Sequence, residues 1–296
     1  MYRRFQGWNA AEGRCLSNRS ISTDQQEGVV KHANTSKSAS YEIDIQHYNK
    51  AIKELPTFAQ AYNYRGVAYG NIGEIDRAIE DFNKAIRLKA NYAEAYSNRG
   101  GAYRIQGDYD RAIKDCNTAI KLDSNLPEAY NNRGIIYKLT GRIDRAIENY
   151  NTAIELDPNF AYAYYNRGIV YHERDNFDRA IKDYTKAIEL RPDLVHPYNN
   201  RGNAYAKKDK YKLAIKDYDK AIQLNPDLIE AYYNRGMSFL HLREWKNAKK
   251  DLKSAENLQK NIVVEQFRAD HKSIADFEQE HGVKLPADIA ALLTSP

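Results

Sequence analysis

The sequence predicts an all-α fold, an α-solenoid of six 34-residue helix-turn-helix repeats with capping helices at both ends. The dipeptide Arg-Gly recurs at Arg65-Gly66, Arg99-Gly100, Arg133-Gly134, Arg167-Gly168, Arg201-Gly202 and Arg235-Gly236, always 34 residues apart. Within each interval, apolar and aromatic residues fall at i, i+3 or i+4, and i+7 over two stretches of about 13 residues, the period of an amphipathic helix. Between the stretches sits Gly73, Gly107 or Gly141, or a polar residue in the later repeats, which signals a turn. A unit this short cannot enclose its own apolar face, so it has to stack on its neighbours.

From the N-terminus, residues 1–40 are rich in Ser, Asn, Gln and Gly without a sustained period, and read as a disordered basic segment that resembles an organelle transit sequence only loosely. Residues 41–58 place Tyr48, Ala51 and Ile52 in phase ahead of Pro56, as in the second helix of a degraded repeat that caps the first complete one. The complete repeats occupy residues 59–92, 93–126, 127–160, 161–194, 195–228 and 229–262. Each puts a ring on its first helix (Tyr62, Tyr96, Tyr130, Tyr164, Tyr198, Tyr232) and a second two turns later (Tyr69, Tyr103, Tyr137, Tyr171, Tyr205, Phe239). Glycine in the eighth place and alanine in the twentieth and twenty-seventh let the two helices approach, so a larger side chain at Ala146 or Ala180 is expected to cost ~1–3 kcal/mol. Leu88, Leu122, Leu156, Leu190, Leu224 and Leu258 close the second helices, and Pro158, Pro192 or Pro226 follows in three repeats. In residues 263–296, Val264, Phe267, Ile274 and Phe277 predict one capping helix ended by Gly282, then a short helix from Pro286 through Ala290 and Leu293, packed on the sixth repeat.

This spacing of aromatic, Gly, aromatic, Ala, aromatic, Ala and Pro resembles that of the tetratricopeptide repeat family over about two thirds of the chain. The resemblance implies a right-handed solenoid and a role as a protein–protein interaction scaffold; it names no process, because such scaffolds serve many. One departure is informative. Where the family usually has Leu beside the Gly, all six repeats have Arg, and five carry Asp sixteen residues later: Asp81, Asp115, Asp183, Asp217 and Asp251, with Asn149 the exception. The spacing predicts a recurring Arg–Asp pair linking the two helices of a repeat; an arginine row for acidic ligands is the alternative.

Composition narrows the function classes. Of the net charge of +5, residues 1–40 supply +3 (six Lys/Arg against three acids), leaving +2 interspersed over the rest, which is no basic stripe for nucleic acid. Cys15 and Cys116 form no disulfide framework or thiolate metal site, the seven histidines show no metal-ligand spacing, and no glycine-rich phosphate loop exists. Cys116 holds an aromatic core place, as a small hydrophobe would. The sequence therefore predicts no catalysis, no cofactor and no metal. No apolar run approaches the ~20 residues of a membrane span, and no signal peptide is evident, so a cytoplasmic location is expected. Oligomeric state is not legible.

The functional signal is a row of amides. Asn98, Asn132, Asn166, Asn200 and Asn234 precede the Arg in repeats two to six, with Tyr64 in repeat one. An amide carries both donor and acceptor, so stacked copies can pair bidentately with the backbone of an extended peptide. The row resembles the asparagine ladder of peptide-binding tetratricopeptide proteins. By the family's inner-face places, Tyr162, Tyr165 and Tyr233 add side-chain contacts, beside Glu94, Glu128, Asn131 and Arg104 early, His172 in the middle, and His196, Asn199, Asn203 and Met237 late. A partner with basic residues at one end and apolar groups in the middle would suit them. The family's carboxylate clamp is incomplete: Asn203, Asn234 and Arg268 fit, but Asn199 and Val264 stand where Lys is needed. A second reading is an accessory or targeting subunit that acts through residues 1–40 or 263–296.

Overall fold

The computed structural model describes residues 35–294; the expectations for residues 1–34, Cys15 included, lie outside the described residues. Sixteen helices and no strand are present among them, and the chain divides into two compact units, up to Val170 and from Tyr171 onward. The first unit holds α1 (Thr35–Glu54), then α2 (Ala59–Asn71), α3 (Ile75–Leu88), α4 (Ala93–Ile105), α5 (Tyr109–Leu122), α6 (Pro127–Leu139), α7 (Ile143–Leu156) and most of α8 (Ala161–Glu173). The second holds α9 (Phe177–Leu190), α10 (Val195–Ala206), α11 (Tyr211–Leu224), α12 (Ile229–His241), α13 (Trp245–Leu258), α14 (Ile262–Asp270), α15 (Ile274–His281) and α16 (Ala287–Thr294). Two details differ from the sequence reading. The helix α1 starts at Thr35 rather than Tyr41. The single helix expected through His281 is two, because His271 is extended (φ −137°) and Ser273 caps a new start, its side chain accepting from the Asp276 N–H.

The chain turns the same way at every repeat. The N–H of Glu74 donates to the Tyr69 carbonyl and that of Gly73 to Gly70, and the 6→1 bond recurs as Asp108 to Tyr103, Arg142 to Tyr137, Asn176 to Tyr171, Lys210 to Tyr205 and Glu244 to Phe239. This is a Schellman end, which needs one left-handed residue. Gly73, Gly107 and Gly141 supply it at φ +87°, +78° and +74°; the later repeats force Asp175, Asp209 and Arg243 into the same region. Five second helices stop on an extended residue (Lys89, Asp123, Asp157, Asn225, Gln259). Asp123, Asp157 and Asn225 then accept the N–H two residues on, starting the loop to the next repeat.

In repeats one, three and five the two helices meet where glycine faces a ring; in two and six it faces Cys116 and Leu252. A Cβ on Gly66 would sit 2.7 Å from Phe82 Cε1, one on Gly134 2.7 Å from Tyr150 Cε1, and one on Gly202 2.6 Å from Tyr218 Cε1. The twentieth- and twenty-seventh-place alanines are fully enclosed beside them. Between repeats, α2 packs on α4 and α4 on α6, while α3 and α5 fit against the first helix that follows each; α10 and α12 meet likewise in the second unit. First helices therefore share one face of each unit.

Arginine joins these layers. Arg65 grips Asp81 with Nε and Nη2, both at 2.7 Å, and Arg99 grips Asp115, Arg201 Asp217 and Arg235 Asp251 in the same fork. In repeat three the fork is reduced to Arg133 Nε on Asn149 Oδ1 at 2.8 Å. The remaining Nη1 reaches sixteen residues back, into the preceding second helix: Arg65 to Asn49, Arg99 to Asn83, Arg133 to Asn117, Arg167 to Asn151, Arg201 to Thr185 and Arg235 to Asp219. Asn49 lies on α1, so α1 fills the place of a preceding second helix. Desolvation lowers the Arg201 guanidinium, but the Asp217 hydrogen bond and charge carry it above the ordinary value. Each arginine is thus spent on the scaffold.

Two glycines should fail for different reasons. Gly134→Ala drives a methyl into Tyr150 and should cost ~1–3 kcal/mol. Gly141→Ala meets nothing within 4 Å but holds φ +74°, and should cost about 1–2 kcal/mol through the backbone alone. Urea unfolding of both variants, with Tyr150→Leu added to each, separates the causes: the second substitution should relieve the first cost and leave the other unchanged.

Candidate functional site

In the first unit the asparagines form a chain of contacts from repeat to repeat. Asn98 Nδ2 donates to Asn63 Oδ1 at 3.1 Å, Asn132 Nδ2 to the hydroxyl (3.2 Å) and carbonyl (3.3 Å) of Ser97, and Asn166 Nδ2 to Asn131 Oδ1 at 2.9 Å. All three side chains are buried, at 5%, 2% and 7% exposure. Their Oδ1 atoms accept no hydrogen bond from a described residue. In each case the donor holds the preceding repeat. In the second unit Asn200 is buried, Asn234 Nδ2 donates to Asn203 Oδ1 at 2.9 Å, and Tyr218 donates to the same oxygen at 2.7 Å. Asn199 Oδ1 is left buried without a partner.

The tyrosines divide. Tyr162 is partly exposed and packs edge-on to Phe160 with ring centroids 6.5 Å apart. Tyr165, at 4% exposure, is enclosed. Tyr233, at 3%, lies in the core that α14 covers, and its hydroxyl donates to Asp270 Oδ2 at 3.0 Å. Its contact role gives way to a packing one, because the C-terminal helices close over it. Those helices are core: Val263, Val264, Phe267, Phe277, Ile289 and Leu293 are buried with Leu240 and Leu252 of the sixth repeat. Val264 in the core and Arg268 donating to the Thr294 carbonyl leave no carboxylate clamp here.

Electrostatics mark the start of the row. The Glu128 carboxyl, half-buried at the head of α6, is pushed up by desolvation and by Asp157, Glu94 and Asp123. Arg104 is pushed down by burial among Tyr150, Cys116 and Tyr109. Burial pushes the Cys116 thiol up to about 12, so it is no nucleophile at neutral pH. A cluster that sequence spacing missed lies at the far end of the second unit, where His271, Glu280 and His281 converge beside His241. Nine residues separate the first two, and only the break at His271 brings them together.

Stacked helix pairs with their first helices on a common face define an α-helical repeat protein. Tetratricopeptide repeat models match residues 59–92, 161–194 and 197–228, and a TPR repeat model matches residues 100–141 and 136–175. The chain belongs to the tetratricopeptide repeat family, whose arrays are protein–protein interaction scaffolds and typically non-catalytic modules. Solved structures share the fold. A chain of the APC/C hetero-tetramer Cut9-Hcn1 superposes at a TM-score of 0.67 and 19% identity over 77% of this chain, which spans 45% of that one. PilF of Pseudomonas aeruginosa does so at 0.64 and 18%, covering 72% of this chain and 97% of its own. MamA of Desulfovibrio magneticus RS-1 does so at 0.52 and 21%, covering 57% and 96%. No curated protein sequence matches the chain. No helix among the described residues is long and apolar enough to cross a membrane.

One neighbour of the row titrates. Desolvation, then Lys207, lowers His172 from its ordinary 6.5, against the pull of Glu173 and Asp175, while its ring packs edge-on to Phe177 at 5.2 Å. A lowered histidine binds fewer protons folded than unfolded, so its share of stability is full above pH 6.5 and is lost as pH falls below it. Melting curves at pH 7.5 and 5.5 should show a smaller acid loss for His172→Gln than for the parent chain.

Proposed function

We propose that the chain is a non-catalytic scaffold that binds extended segments of partner proteins along the face that the first helices share within a unit. The observation that carries the reading is the row Asn98, Asn132 and Asn166, in which each amide spends its donor on the preceding repeat and keeps a carbonyl that accepts from no described residue. In the second unit Asn234 likewise spends its donor on the preceding repeat, and Asn200 lies buried in the equivalent place. Carbonyls at a constant repeat interval accept N–H groups of a peptide backbone whatever its side chains. Tyr162 supplies an apolar contact, with Tyr165 and Tyr233 enclosed beneath as support. Glu128, whose carboxyl is pushed up by desolvation and by nearby acids that include Glu94, favours with Glu94 a basic residue at the start of the bound segment. At ~0.5–1.5 kcal/mol per amide, set against the ordering of the peptide, affinity falls near the micromolar range.

The test uses peptides selected by display on the intact chain, titrated calorimetrically. Asn132→Ala should weaken binding about fivefold to tenfold. Asn132→Asp should retain it, since it keeps acceptor oxygens and the Ser97 hydroxyl can turn to donate. N-methylation of the peptide backbone should weaken binding in the same way. Equal binding by Asn132→Ala would sink the ladder, and binding that maps to residues 1–40 or 263–296 in truncated chains would replace it with the terminal segments.

A further inference from the structure

The C-terminal cap holds a constellation unrelated to the asparagine row. His271, which ends α14, and Glu280 and His281, in the last turn of α15, each bring a ligand atom to within 4.8 Å of the others. The His281 Nε2 is enclosed and makes no hydrogen bond; the Glu280 Oε2 stands 3.8 Å away, too far for one. A buried ring nitrogen without a partner is costly, and this one points toward a carboxylate and a second imidazole. The rings are held in place. His271 and His281 stand perpendicular with centroids 5.9 Å apart, Phe277 packs on both at 4.9 and 4.7 Å, and His241, stacked on Tyr211 at 4.3 Å, closes on His281 at 4.4 Å. Phe267 walls the His271 side at 5.1 Å.

We propose that His271, Glu280 and His281 form a binding site for a divalent transition-metal ion of the zinc class. Two imidazoles and a carboxylate suit Zn2+, Ni2+ or Cu2+ and not Mg2+ or Ca2+, which take oxygen. With bonds of ~2.0–2.1 Å, tetrahedral ligand atoms lie roughly 3.4 Å apart, so the set must close by about 1.5 Å at its widest. The exposed Glu280 side chain and small ring rotations supply that movement. Three protein ligands leave one position for water or for a group from a partner. The ion would tie the end of α14 to the end of α15 and so brace the cap that covers Tyr233.

The experiment is a Co2+ titration of the metal-stripped, tag-free full chain, read by the visible bands of tetrahedral Co2+. The expected result is one ion per chain, displaced by Zn2+ and untouched by excess Mg2+, with a higher melting temperature in Zn2+ than in chelator. Glu280→Gln and His271→Gln should each weaken binding roughly tenfold or more. Glu280 is exposed, so its variant should melt like the parent in chelator and decides the matter if His271→Gln does not fold. Absence of tetrahedral bands, or binding that survives Glu280→Gln unchanged, overturns the site and places any bound ion on other histidines such as His172.

Discussion

The constraint on which the structure depends is a guanidinium shared by three helices. Arg65, Arg99, Arg201 and Arg235, each beside an eighth-place glycine, rise from a first helix, fork onto the aspartate of their own second helix and extend the last nitrogen to the second helix before it. One side chain therefore sets both the register inside a repeat and the register between repeats. A tyrosine three residues earlier lies against the guanidinium, with centroid distances of 5.4 to 5.9 Å from Arg65 to Arg235. Five donors in a fixed plane suit this task; a lysine could not fork onto a carboxylate and keep a third direction. Buried pairs of this kind need not add net stability, because desolvation opposes the attraction. Their clearer contribution is that only one stacking distance satisfies every nitrogen.

Packing follows that frame. Glycine under a ring and alanine at the seam keep each pair of helices close enough for the fork to close, and the left-handed residue at the turn sets the angle at which the second helix returns. The asparagine row depends on the same spacing. Asn132 reaches Ser97 and Asn166 reaches Asn131 only because neighbouring first helices are held at a fixed separation. The amide contacts between first helices are thus a by-product of interior geometry and inherit the repeat period.

Most of the fold was legible because it is periodic. A 34-residue interval, fixed small residues and an Arg with an Asp sixteen places on state helix pairing, the seam and the ion pair without any long-range inference. What escaped was aperiodic. The break at His271 has no Gly or Pro to announce it, and Ser273 reads as an ordinary polar residue until its capping bond is seen. Without the break, His271 could not face Glu280 and His281. The use of each asparagine donor on the preceding repeat was hidden for another reason. Sequence gives the place of a side chain on a helix, whereas the atom that bonds the neighbour depends on the distance between helices.

Native-state hydrogen exchange on Arg99→Met against the parent chain tests the shared guanidinium most directly, since methionine keeps much of the stem's packing and removes all three bonds. The account predicts lost protection in both α3, which carries Asn83, and α5, which carries Asp115, with distant helices unchanged. Protection lost in α5 alone, or in neither, would show that the arginine does not couple successive repeats and would contradict the account.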